Sequence, residues 1–196
     1  MDIVRVTKDL NAEQVERAYR EGIFPMATDR VITWHRPPVR AILPPRQFHV
    51  SRSLARTMRR GGFDVTVDRD FIGVMQGCAA RDETWIDDRI YRVYGELHHA
   101  GKAHSVEVWV GGELAGGVYG VSLGAAFFAE SMFHFVTDMS KVALAKLCER
   151  LVERGYELLD VQYMTDHLWS LGAEEIRDSD YRRRLAHALQ TEHTFL

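Results

Sequence analysis

The sequence predicts an α+β fold in two parts. A small N-terminal α/β subdomain spans residues 1–68, and a mainly antiparallel sheet flanked by helices spans 69–196. Three observations lead there. From His104 the pattern has a period of two: HSVEVWV, a Gly111-Gly112 turn, then ELAGGVYGV, which reads as a β-hairpin. Around it stand segments with apolar residues at helical spacing, each closed by a glycine. From about Asp70 the order runs helix, helix, three antiparallel strands, helix, strand, helix, which suits helices packed on a mostly antiparallel sheet.

Each element follows from local chemistry. Asn11-Ala12-Glu13-Gln14 has the form of a capping box, and Val15, Ala18 and Tyr19 form the inner stripe of a helix that Gly22 ends. Gly22-Ile23-Phe24-Pro25 reads as an apolar turn. Val31–Trp34 and Val39–Leu43 read as short strands separated by Pro37-Pro38. Ser51 opens a helix that stops at Gly61-Gly62, with Leu54, Ala55 and Met58 inward. Its outer residues Arg52, Arg56, Arg59 and Arg60 share a face. Phe63, Val65 and Val67 alternate as a half-buried strand. Helices follow from Asp70 to Ala80 and from about Ile90 to Gly101, with Trp85 in the polar loop between them. Ala125–Phe133 is the strand after the hairpin, and Ser140 is placed as the cap of a long helix to Arg154. Tyr156–Gln162 reads as a buried strand, Thr165–Leu171 as a short helix and Ser179–Leu189 as the last one.

Composition narrows the function classes. The chain has 196 residues, 46% of them apolar and 27% charged, an ordinary globular balance. No apolar run approaches the roughly 18 residues that span a bilayer. MDIVRVTKDL lacks a basic segment leading into an apolar one, so no export signal is expected and the reading is a cytoplasmic protein with no membrane partner. Cys78 and Cys148 form no CxxC and are read as reduced, buried thiols. Nine histidines are present, but there is no HExxH and no His/Cys pair at finger spacing, so no metal is expected. The net charge of −3 does not advertise nucleic acid, although a local basic face would still bind phosphate.

Two segments carry chemistry. Glu130 is a carboxylate in the apolar run AAFFAESMF, where it needs a partner or a raised pKa. Asp160 and Gln162 alternate in LLDVQ, so strand geometry points both to one face and Leu159 and Val161 to the other. By itself an aspartate at a strand end is more often a hydrogen-bonded loop anchor, and the alternative for Glu130 is an internal pair with one of the chain's own arginines.

Several blocks resemble the leucyl/phenylalanyl-tRNA–protein transferases. They are YREGIFP from Tyr19, FHVSRSL from Phe48, Thr84-Trp85-Ile86, GKAHSVEVW from Gly101, Glu130-Ser131-Met132-Phe133, Ser140-Lys141, Asp160 with Gln162, and SLGA from Ser170. Members of that family move leucine or phenylalanine from tRNA to the α-amine of proteins beginning with Arg or Lys, which marks them for degradation. The resemblance implies a domain like the Gcn5-related N-acetyltransferases (GNAT), here without the R/Q-x-x-G-x-G/A loop that grips the pyrophosphate of acyl-CoA. It implies no cofactor and a monomer, with aminoacyl-tRNA and Arg- or Lys-starting proteins as partners; methionine is a further candidate donor.

The resemblance assigns the catalytic positions and the donor pocket, and residue chemistry suggests the other roles. Asp160 and Gln162 fall on the catalytic positions. Glu130 is placed as reader of the acceptor's cationic side chain. Val118, Phe127, Met132 and Leu159 are placed as lining for the donated side chain, although by themselves all four read as core. Trp34 and Trp85 are candidates to stack on the terminal adenosine, and Trp109 reads as core. Arg52, Arg56, Arg59 and Arg60 are candidates for tRNA phosphates, with Lys141 a weaker one and Arg182 to Arg184 a less specific cluster. Met26, the pair Thr33-Trp34, a shorter N-terminal lead and a shorter loop before Thr84 depart from the family pattern on the donor side. Two rival functions are a non-catalytic module that binds charged tRNA or N-terminal Arg/Lys, and an N-acyltransferase using acyl-CoA.

Overall fold

The computed structural model describes residues 2–80 and 84–196. A three-stranded antiparallel sheet is built from β1 (Ile3–Thr7), β2 (Phe24–Thr28) and β3 (Val31–His35), in the order β1-β3-β2. Helix α1 (Ala12–Arg20) runs between β1 and β2, and Asn11 and Gln14 form the expected capping box. The sequence reads Ile23 to Pro25 as a turn, yet Phe24 opens a strand. Pro25 is tolerated there because β2 is an edge strand, where a missing N–H costs no ladder bond. The first strand has no counterpart in the sequence reading, since four of its five residues are exposed and no buried face marks it.

The main sheet has seven strands: β4 (Val39–Ile42), β5 (Asp64–Val67), β6 (Ala103–Val110), β7 (Glu113–Leu123), β8 (Ala126–His134), β9 (Leu158–Gln162) and β10 (Glu174–Arg177). Their order is β10-β4-β9-β8-β7-β6-β5, and only β8 and β9 run parallel. Between them the chain crosses over through helix α5 (Met139–Glu153). The expected hairpin is β6–β7, and its turn residues Gly111 and Gly112 have φ of 60° and 87°, values suited to glycine.

Helices cover both faces. On one lie α1, α3 (Phe71–Ala79), α4 (Asp88–His99) and α7 (Asp178–Ala188), with Val15, Val74, Val93 and Leu185 in the core. On the other lie α2 (Arg52–Arg60), α5 and α6 (Asp166–Ser170), around Leu54, Leu144, Leu147 and Leu151. Gly116 and Gly117 of β7 let both layers come close. A Cβ on Gly116 would lie 2.7 Å from the Met139 Cβ, and one on Gly117 would lie 2.9 Å from a Val74 methyl.

Ser140 is not the cap of α5. The cap lies two residues earlier, at Asp138 with φ 70°, and Met139, the first helical residue, is drawn into the core. Ser140 is buried, and its hydroxyl lies 3.1 Å from His134 Nδ1. Among the described residues no helix is long and apolar enough to cross a membrane.

Candidate acyl-transfer site

The parallel pair β8–β9 stops early. Its register runs Ala126 with Leu158, Phe127 with Leu159 and Phe128 with Asp160, and beyond that the strands separate. Each strand is also irregular at this level. On β8 the partner of Tyr119 is Ser131 and that of Gly120 is Ala129, so Glu130 is the extra residue of a bulge. On β9 the partner of Ile42 is Asp160 and that of Ala41 is Gln162, which leaves Val161 extra. Gln162 has φ 58°, a left-handed conformation costing a non-glycine residue about 1–3 kcal/mol.

A cavity of about 670 Å³ fills the gap. Its walls come from β2 (Phe24, Pro25, Met26), from β8 (Ala129 to His134), from α5 (Ser140, Leu144), from Val161 to Tyr163, and from α6 (His167, Leu168). Glu130 and Gln162 both reach it, and the Gln162 Nε2 donates to Glu130 Oε1 at 3.1 Å across the open end of the strand pair. Tyr94 of α4 donates to the other carboxylate oxygen at 3.2 Å, and its own hydroxyl lies 2.6 Å from that of Tyr19 on α1. Burial pushes the Glu130 pKa up to about 8. Hydrogen bonding from Tyr19 and Tyr94 and the charge of Arg40 pull it down, while the charge of Asp160 adds to the rise.

Asp160 sits differently from the sequence expectation. It has no exposed surface and does not line the cavity. Arg40 of β4 grips it in a fork, Nε to Oδ1 at 2.9 Å and Nη2 to Oδ2 at 2.7 Å. Tyr181 of α7 donates to Oδ2 at 2.6 Å, and the Gln162 backbone N–H donates to Oδ1 at 2.9 Å. Burial opposes the charge on Arg40, but Asp160 more than offsets this and holds the guanidinium above its ordinary range. Burial, then the Asp160 charge, pushes the Tyr181 hydroxyl well up. With four donors already on its two oxygens, Asp160 has no geometry for taking a proton from a substrate in the cavity.

The remaining expected residues divide. Val118 and Met132 line the cavity, whereas Phe127 and Leu159 belong to the core under α5, where Phe127 stacks on Phe195 at 5.1 Å. Trp85 is half-buried in the cavity wall. Trp34 is wholly buried, its Nε1 donates to Thr7 at 3.0 Å and Arg5 lies 4.1 Å over its ring, so it offers no face to an adenine. Arg52, Arg56, Arg59 and Arg60 are all exposed on α2. Lys141 is half-buried and paired with Asp138 at 3.2 Å, so it is no free phosphate ligand. Both cysteines are buried, and burial pushes Cys148 up to about 12, leaving no thiolate there at neutral pH.

Sequence reading missed Arg40, Tyr19, Tyr94 and Tyr181 as site-building residues. Arg40 carried a usable signal: a cation flanked by Val39, Ala41, Ile42 and Leu43 needs a buried counter-ion. The tyrosines carried none, because on a helical stripe a tyrosine looks like core.

A mainly antiparallel sheet that opens between its two parallel strands, with a carboxylate and an amide facing the gap, makes this an α+β protein with a built cavity at the sheet's opening. A solved structure of FemX shares the fold, with a TM-score of 0.55 at 12% identity over 72% of this chain and 60% of that one. The profile of the leucyl/phenylalanyl-tRNA protein transferase family matches residues 42–186, and the profile of that family's N-terminal domain matches residues 8–38. The leucyl/phenylalanyl-tRNA–protein transferase of Ruegeria pomeroyi is 55% identical over 183 residues, covering 92% of this chain and 87% of that protein. The one from Rhodopseudomonas palustris strain HaA2 is 54% identical over 189 residues, covering 93% and 84%. The chain belongs to the leucyl/phenylalanyl-tRNA–protein transferase family.

Proposed function

We propose that this protein transfers leucine or phenylalanine from aminoacyl-tRNA to the α-amine of polypeptides that begin with Arg or Lys. In this reading it acts as a cytoplasmic monomer, and its products enter N-degron degradation. The observation that carries the proposal is the position of Glu130: a bulged carboxylate at the cavity, joined to Gln162 and to the Tyr94 hydroxyl, with no ion pair to a cation among the described residues. An incoming guanidinium or ammonium supplies the missing charge.

The chemistry needs little else. The donor ester is already activated, and the acceptor amine has an ordinary pKa near 7.7–8.0, so a useful fraction is neutral. Its lone pair attacks the ester carbonyl, a C–N bond forms, and the bond from carbonyl carbon to ribose oxygen breaks. The amine proton leaves with the tRNA hydroxyl. Glu130 anchors the acceptor side chain, and Gln162, whose Nε2 is spent on Glu130, offers its Oε1 to an amine N–H and so aims the lone pair. Val118 and Met132 form the wall for the donated side chain, and Trp85 stacks on the terminal adenosine. Asp160 serves through Gln162 by holding that residue's backbone in its left-handed turn.

Incubation with labelled Phe-tRNA and an Arg-starting peptide tests this: the label is expected in the peptide. Binding of both without transfer, or transfer from acyl-CoA instead, would overturn the proposal.

A further inference from the structure

We propose that Trp169 is a stacking platform for the unpaired nucleotides that precede the terminal adenosine of the donor tRNA. The proposal deepens the donor reading above and depends on it.

Trp169 is 67% exposed, the most exposed large apolar side chain among the described residues. Its indole makes no hydrogen bond or ring contact with a described residue, whereas Trp34, Trp85 and Trp109 are all packed. Exposed alone, a tryptophan says nothing about its partner. Its position does. Trp169 stands on α6, and its neighbours His167 and Leu168 are part of the cavity wall. The far end of α6 rests on the strap that leads into α2: the His49 N–H donates to the Leu171 carbonyl at 2.9 Å, and a Cβ on Gly172 would lie 2.7 Å from the Gln47 carbonyl. That strap and the helix it enters carry Arg46, His49 and Arg52, all exposed, followed by Arg56, Arg59 and Arg60.

α6 thus links the cavity to the arginine face, and a strand of RNA whose last residue sits in the cavity can run along it. Over that passage it meets one large aromatic surface beside a row of cations. Single-stranded nucleic acid is held in that way, with phosphates on the cations and bases on the rings. An acceptor polypeptide would gain nothing comparable from the arginines.

The test compares wild type, Trp169→Ala and Trp169→Phe, each checked for an unchanged melting temperature. Two quantities are read: kcat/KM on Phe-tRNA, and competitive inhibition by a short RNA ending in CCA and by adenosine alone. Trp169→Ala is expected to lower kcat/KM on Phe-tRNA and to weaken the short RNA, each by about tenfold, to leave inhibition by adenosine and the KM for the peptide unchanged, and to be largely rescued by Trp169→Phe. An unchanged tRNA parameter, an equal loss on adenosine, or a raised KM for the peptide would overturn it. If wild type transfers and Trp169→Ala is indistinguishable from it, stacking alone fails. If wild type transfers nothing from Phe-tRNA, the donor reading has failed and the stacking proposal falls with it.

Discussion

Asp160 and Glu130 lie close together and are built for opposite tasks. Asp160 is saturated: Arg40, Tyr181 and the Gln162 N–H fill its lone pairs, and it has no exposed surface. Asp160→Asn strands the Arg40 charge in the core, so a loss of about 3–5 kcal/mol in denaturant stability is expected, with a lower kcat. The pH–rate profile should keep its shape, because a positioning residue sets no limb of it; a profile that loses its acidic limb would make Asp160 the base after all. Glu130 is poised instead of saturated. Its folded pKa of about 8 lies above the ordinary 4.5, so the native protein holds the extra proton between those values. Stability therefore falls as pH rises from about 4.5 to about 8. Glu130→Gln should match wild type near pH 4 and melt higher than wild type above pH 8. Identical melting curves at both pH values would reject the raised pKa.

At the scale of elements, the strands and helices that alternation and caps announce are all present. The sequence shows these because side-chain periodicity and cap chemistry are local. It does not show β1, whose residues are mostly exposed, or β2, where Pro25 reads as a turn until the edge position is known. Nor does it show the two bulges. Glu130 and Val161 become extra residues only through their neighbours' register, so a pattern of two along either strand predicts no irregularity. Alternation along β9 holds, with Leu159 and Val161 under α5 and Asp160 and Gln162 on the side of α4 and α7, yet of that pair Gln162 alone lines the cavity. The close approach of the two helix layers was equally invisible, since ELAGGVYGV shows glycines but not what presses on them. Gly116→Ala would force α5 away at the Met139 backbone, and a loss of about 1–3 kcal/mol in urea unfolding is expected. A neutral change would mean that α5 is not seated as described.

For the whole molecule, the residues named from the family blocks converge on one cavity only in part. Of the residues read as donor pocket, Val118 and Met132 line the cavity while Phe127 and Leu159 do not, and Trp85 faces it while Trp34 is sealed. The contrast is physical: residue type and order say which strand a side chain is on, and only packing says which face is open. The exposed arginine face of α2 belongs to this scale as well. Replacing Arg52, Arg56, Arg59 and Arg60 with alanine should flatten the salt dependence of tRNA binding, by about 0.7–0.9 in log–log slope for each phosphate no longer neutralised. A slope that does not move would leave these residues merely solvated. The claim that joins all three scales is that Glu130, turned into the cavity by its bulge, reads the acceptor's cation. The most direct measurement is kcat/KM for peptides beginning with arginine and with citrulline, its neutral isostere, in wild type and Glu130→Gln. Wild type should favour arginine strongly and Glu130→Gln should lose most of that preference, whereas an equal drop on both peptides would contradict the account.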